Sequence, residues 1–182
     1  MEHKHDFSST QIHLPKDIGA AISRLAATIP EADLSEDGRE DVPHVTVKYG
    51  LHTNNAADVR ELLRDEPPTH VTFGKTSLFT ADETKKDYDV VTVSVESPDL
   101  RHLNKVLSRA LKVTDTHPTY KPHATVAYVK AGCGKKYADL ADLEGKTAVV
   151  NTVHFSDKDG NKVPITLSGD PLEAAVKRSI GN

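Results

Sequence analysis

One order of residue types occurs twice in this chain of 182 residues. A β-rich run meets a proline, an aspartate opens an amphipathic helix, a polar loop follows, and a second proline leads into His-x-Thr-Val-x-Tyr. In the first copy a strand over 8–14 ends at Pro15, and Asp17 begins a helix with Ile18, Ala21, Ile22, Leu25 and Ile29 on one face. Pro30 stops that helix, and 31–41 reads as an acidic loop in solvent. Then comes Pro43-His44-Val45-Thr46-Val47-Lys48-Tyr49-Gly50. In the second copy a β-branched strand over 90–95 meets Pro98-Asp99, and Leu100, Leu103, Leu107, Ala110 and Leu111 form the helical stripe. A loop with Asp115, Pro118 and Thr119 delivers Pro122-His123-Ala124-Thr125-Val126-Ala127-Tyr128-Val129. Pro15 lies 29 residues before His44, and Pro98 lies 25 before His123.

The elements that follow each motif also correspond. A helix over 55–65 and a strand over 69–79 come after the first. A short weak helix over 135–143, a strand over 147–156, an Asp/Gly turn at 157–160 and a strand over 162–167 come after the second. A terminal helix is read over 172–177. The expected fold is α+β and bilobal: duplicated strand–helix–strand units, two antiparallel sheets around a central cleft, and a pseudo-twofold axis. The chain reads as one domain over 1–182, with a first repeat of about 8–89, a second of about 90–168 and a tail over 169–182.

Composition narrows the chemistry. A net charge of −4, from 23 basic and 27 acidic residues, argues against a duplex-DNA binder, which needs surplus Lys and Arg to displace counterions. Cys133 is the only cysteine, so an internal disulfide and a cysteine zinc site are excluded. Cys133 lies in a glycine-flanked loop without an identifiable base, so no thiol nucleophile is read there. No apolar run approaches the ~18 residues of a membrane span, and the charged start of the chain does not resemble a signal peptide. The expected setting is the cytoplasm and the expected state a monomer.

Strand alternation places Val45, Val47 and Tyr49 on one face and His44, Thr46 and Lys48 on the other. The second motif repeats this, with Ala124, Val126 and Tyr128 opposite His123 and Thr125. Each lobe therefore offers an imidazole and a hydroxyl about 6–7 Å apart along one strand face. Packing explains the repeated Val and Tyr, but not a polar pair facing away from that packing in both halves. Two imidazoles and two hydroxyls around one point suit phosphodiester cleavage without a metal or cofactor. One neutral imidazole takes a proton from the nucleophile, one protonated imidazole gives a proton to the leaving oxygen, and the hydroxyls hold the non-bridging oxygens. These residues do not say which histidine is the base.

The paired Pro-His-Val-Thr-Val and Pro-His-Ala-Thr-Val resemble the signature of the two-histidine (2H) phosphoesterases, which include bacterial 2′–5′ RNA ligase-like proteins and eukaryotic cyclic phosphodiesterases. The resemblance covers about 8–167. It implies a bilobal fold with one His-x-Thr from each lobe in a central groove, no metal, and catalytic roles for His44, Thr46, His123 and Thr125. Within that superfamily the chain is most similar to the anti-CBASS phosphodiesterases of phages. That similarity implies cleavage of the 3′–5′ bonds of cyclic di- and trinucleotide immune signals in a host bacterial cytoplasm. With no Trp in the chain, a Trp stacking platform is absent. One alternative is an RNA-processing cyclic phosphodiesterase acting on 2′,3′-cyclic ends or 2′–5′ linkages. Another is a protein that sequesters a nucleotide without cutting it.

Further substrate contacts are expected from Gln11, Ser94, Lys48, Tyr120 and Lys121. Gln11 and His13 point away from the Ile12/Leu14 face, and matching Pro98 to Pro15 sets Ser94 at the place of Gln11 and Glu96 at that of His13. Lys48 shares the His44/Thr46 face, while Tyr120 and Lys121 supply a ring and a charge just before the second motif. Tyr49 and Tyr128 are read as core, and His154 and Phe155 as packing. The remaining histidines, His3, His5, His52, His70, His102 and His117, are read as surface or cap residues.

Overall fold

The computed structural model describes residues 4–180, so His3 and the last two residues of the 169–182 tail lie outside it. The strands are β1 (Ser8–His13), β2 (Leu34–Arg39), β3 (His44–Leu51), β4 (Thr69–Phe79), β5 (Tyr88–Glu96), β6 (His123–Lys130), β7 (Thr147–Val150), β8 (Thr152–Ser156) and β9 (Lys162–Thr166). The helices are α1 (Lys16–Ala27), α2 (Ala56–Leu63), α3 (Ala81–Thr84), α4 (Pro98–Ala110) and α5 (Pro171–Ile180).

The expected two sheets are one. Strand order is β7-β4-β5-β6-β3-β1-β8-β9, with every pair antiparallel, and β2 adds to β6. The two motif strands, β3 and β6, meet at a single register pair, Val45↔Ala124. Only Asn151 separates β7 from β8, yet five strands stand between them in the sheet order. The sheet must therefore curl until its ends approach, forming a half-barrel. The continuous strand read over 147–156 splits at Asn151 because it leaves β4 and joins β1 there.

The convex face is the apolar one. Ile12, Val45, Val47, Val93, Ala124, Val126, Val153 and Phe155 are fully or almost fully buried, and they alternate with the polar residues of the concave face. α1 packs against β6 and β2, while α4 packs against β3 and β4, so each helix covers the motif strand of the other repeat. α4 starts cleanly: Ser97 caps it by accepting from Leu100 N at 3.0 Å, with Pro98 in its first turn.

Two loop readings change. Within 31–41 a 3-10 turn (Glu31–Asp33) is followed by β2, whose partner is β6. Its polar residues hid it, since an edge strand with irregular pairing needs no apolar alternation. Arg39 anchors it by donating to Ala26 O (2.9 Å) and Ile29 O (2.6 Å). The helix read over 135–143 is only a 3-10 turn, Lys135–Tyr137; Asp139 has φ 60°, which stops helical continuation. Among the described residues no helix is long and apolar enough to cross a membrane.

Candidate active site

A β-bulge occurs at the same place in both motif strands. On β3, Gln11 pairs with Thr46 but Thr10 pairs with Lys48, leaving Val47 as the extra residue. On β6, Thr92 pairs with Thr125 but Val91 pairs with Ala127, leaving Val126 extra. One inserted residue reverses the side-chain alternation beyond it. The sequence reading of both motifs therefore holds up to the Thr and inverts after it.

The inversion corrects three assignments. Lys48 turns to the helix-covered side, where its ammonium pairs with Asp115 at 2.5 Å, after α4. It does not face the site with His44 and Thr46. Tyr49 is not core; the residue is 44% exposed and its ring meets Phe7 edge-on. Tyr128 is half-buried on the site face and edge-on to Tyr88, with the Thr125 side chain nearby. Burial, with Glu40 and Asp37 nearby, pushes the Tyr128 phenol up.

Up to the bulge the motifs come together around the Val45↔Ala124 pair. Antiparallel register then sets His44 across from Thr125 and Thr46 across from His123. The two histidines sit on a diagonal, ~7–8 Å apart on such a ladder, which leaves room for a phosphate between them. The rings are held alike. His44 Nδ1 bonds Val42 O at 2.8 Å, and His123 Nδ1 bonds Lys121 O at 2.8 Å. A carbonyl only accepts, so each Nδ1 carries a hydrogen and each Nε2 is left as the working nitrogen.

Their surroundings differ. Burial holds the His123 imidazole below the ordinary 6.5, and charge on His117 and His44 acts in the same direction; its bond to Lys121 O opposes this. Phe79 lies edge-on to His123 at 5.0 Å. Glu40 Oε1 lies 4.0 Å from His44 Nδ1.

The outlying expectations divide. Gln11 is buried on the site face opposite Thr46, and its Nε2 lies 2.7 Å from His13 Nε2. Ser94 and Lys121 line a cavity of about 200 Å³ beside His123, together with Ser77, Phe79 and Thr92. Ser94 does not match Gln11, however. It pairs with His123 as His13 pairs with His44, and Thr92 takes the place of Gln11 opposite the motif Thr. The residue opposite the motif His lies four positions before Pro98 on β5 but two before Pro15 on β1, so aligning the prolines slipped the match. Tyr120 is not a stacking ring in the groove. Its hydroxyl donates to Thr46 O at 2.7 Å from a half-buried position against the core, and burial pushes its phenol up. It braces the other lobe's motif strand.

Thr92, Ser77, Phe79, Glu40 and His154 were missed as neighbours of the site. His154 is not simple packing: its ring stacks on His13 with centroids 3.9 Å apart and planes 11° from parallel. Period-two alternation on β8 sets His154 opposite the buried Phe155, and this was the available signal. Phe155 does pack in the core as read. Among the described residues no group of three His, Cys, Asp or Glu side chains is arranged to hold a metal ion.

The comparisons agree on one fold. The family described as the 2′-5′ RNA ligase superfamily matches residues 14–162. No curated protein sequence matches. The structure of TT0787 of Thermus thermophilus superposes with a TM-score of 0.65 at 17% identity, covering 90% of this chain and 99% of that one. E. coli LigT in apo form gives 0.57 at 20% identity, with 91% and 96% covered. Kluyveromyces marxianus Usb1 gives 0.55 at 8%, with 90% and 99% covered. LigT has also been solved with NADP+ and with 3′-AMP.

Proposed function

The chain belongs to the 2′-5′ RNA ligase superfamily and is a phosphoesterase of that family, and from this premise we propose that it cleaves a phosphodiester bond in a small nucleotide by acid–base catalysis between His44 and His123. The carrying observation is the pair of His-x-Thr motifs set around the Val45↔Ala124 pair, each ring fixed through Nδ1 so that Nε2 is free.

We assign their roles from the differences between the two rings. His123, kept neutral by burial, takes the proton from the attacking hydroxyl, a ribose 2′-OH or water. His44, with the Glu40 carboxylate as its partner, gives a proton to the leaving oxygen. Thr46 and Thr125 donate to the non-bridging oxygens, where charge collects in the transition state. The P–O bond to the nucleophile forms as the bond to the leaving oxygen breaks. The proton lost at one side is matched by the proton gained at the other.

The cavity beside His123, about 200 Å³ and lined by the Ser77, Thr92 and Ser94 hydroxyls, Phe79, Glu83 and Lys121, suits one nucleoside. LigT's NADP+ and 3′-AMP complexes support a nucleotide ligand. Glu40 and Asp37 near Tyr128 oppose a long polyanion running through the groove. That favours a compact substrate, and cyclic di- or trinucleotides cut at 3′–5′ bonds are the substrate we propose. RNA processing at 2′,3′-cyclic phosphate ends or 2′–5′ linkages is the second reading, and the family description names the 2′–5′ linkage. The test is a panel in EDTA: 3′,3′-cyclic GMP–AMP, a cyclic trinucleotide, 2′,3′-cyclic AMP and a 2′–5′-linked dinucleotide, with products resolved by chromatography. Linear products from the cyclic oligonucleotides alone support the proposal. Turnover of only the latter two substrates transfers it to RNA ends, and turnover of none overturns it.

A further inference from the structure

The duplication lets each residue of one lobe be compared with its counterpart in the other. Opposite the motif His stand Ser94 in one lobe and His13 in the other, and opposite the motif Thr stand Thr92 and Gln11. One strand further out, Ser77 pairs with Thr92 and His154 with Gln11. The three small hydroxyl residues line the cavity beside His123. In the other lobe the same three positions carry an amide and two imidazoles.

We infer that His13 and His154, with Lys162 of β9, form an anion subsite that takes a second phosphate of the substrate. The inference rests on the proposed phosphodiesterase reading and adds a requirement to it: the preferred substrate carries another phosphate on the β1/β8 side of the scissile one. Strands are spaced ~4.8 Å apart, so Gln11 lies about one spacing and His154 about two from Thr46. That is the reach of a neighbouring phosphate in a nucleotide.

The charges support this. The groups facing His13 are His44 from β3, His154 from β8 and Lys162 from β9. None is a carboxylate, and among the described residues Lys162 forms no ion pair. Burial and these neighbours lower the His13 imidazole to about 4, and burial with Lys162 also lowers His154. Crowding protonable groups together without a counter-charge costs stability as pH falls, and a purely structural role would be served as well by the hydroxyls of the other lobe. The Gln11 amide donates to His13 Nε2, which leaves the His13 proton on Nδ1 with no acceptor among the described residues. His154 Nδ1 is likewise without a partner. A phosphate supplies both the acceptor and the missing negative charge.

The test is calorimetric binding of 3′-AMP and of adenosine 3′,5′-bisphosphate to the full chain, in two buffers of different ionisation heat. The second phosphate is expected to tighten binding at least ~tenfold, as charge-assisted hydrogen bonds do, with net proton uptake. In Lys162→Ala, on an exposed edge strand, and in His154→Asn, the affinity ratio of the two ligands falls toward one. Equal affinities in the wild type, a ratio that both variants keep, or no binding of either ligand overturns the subsite. Binding is read without turnover, so an inactive enzyme with an intact ratio would overturn the phosphodiesterase reading and leave the subsite standing.

Discussion

Replacing Tyr120 with Phe removes a single oxygen, and the structure says what that oxygen does. It donates to Thr46 O at 2.7 Å, joining the loop before one motif to the middle of the other. The same residue is held from behind by Arg101 Nη1, which donates to Tyr120 O at 3.2 Å. A net hydrogen bond is worth ~0.5–1.5 kcal/mol, and a buried acceptor left without a donor costs ~1–3 kcal/mol. The carbonyl is only partly buried, so a loss of about 1–2 kcal/mol is expected. For a chain of this size that lowers Tm by roughly 2–8 °C. Urea unfolding of wild type and Tyr120→Phe reads the loss directly, through a lower midpoint at unchanged slope. A brace on Thr46 also predicts a lower kcat with KM little changed. If Tyr120 instead stacked on a base in the groove, the Phe ring would serve as well and both midpoint and kcat would stay put. That outcome would refute the bracing role.

The other predictions follow from the same geometry. His44→Ala and His123→Ala should each lower kcat about 10²–10⁴-fold, and the double variant should fall far short of the product, because the two rings act on one reaction; steady-state kinetics on the cleaved substrate of the panel check this. Stability should fall as pH falls. His13 titrates near 4 when folded and near 6.5 when unfolded, so the unfolded chain binds the proton first and stability drops from pH 6.5 toward 4; His123 and His154 act in the same direction. Denaturation midpoints measured across that window should show a shallower slope in His13→Asn. Lys48→Met should leave kcat/KM within about twofold, since Lys48 pairs with Asp115 behind the sheet; a large rise in KM would restore a phosphate contact.

The repeat was legible because its signals are local. Proline stops, an aspartate near each helix start, apolar helical stripes and two His-x-Thr strands each depend on neighbours within a few residues. What was not legible depends on partners far along the chain. The bulges at Val47 and Val126 exist only relative to β1 and β5, so alternation carried past them sent Lys48 to the wrong face and both tyrosines into the core. The split at Asn151 exists only because β4 and β1 lie at different places in the sheet order. β2 carries no apolar pattern because its pairing with β6 is irregular and its side chains are largely in water.

Duplication explains where the groups stand, but an acid and a base cannot be identical in their surroundings. Two rings with the same Nδ1 bond and the same register would compete for one proton with no preferred order. The asymmetry comes from residues outside the repeated motif. Phe79 and burial act on His123, while Glu40, just past the end of β2, lies 4.0 Å from His44 Nδ1. The same divergence opens a cavity where Ser77, Thr92 and Ser94 stand and fills the matching positions with His154, Gln11 and His13. A phosphodiester entering this groove therefore has one preferred orientation. Its nucleoside faces the hydroxyl-lined cavity, and its further phosphate faces the imidazoles. Introducing the hydroxyl set into the imidazole lobe, with His13→Ser and His154→Ser, should weaken that preference and let both ends of an asymmetric dinucleotide leave at similar rates. Product ratios from such a dinucleotide, unchanged in the double variant, would show that orientation is set elsewhere.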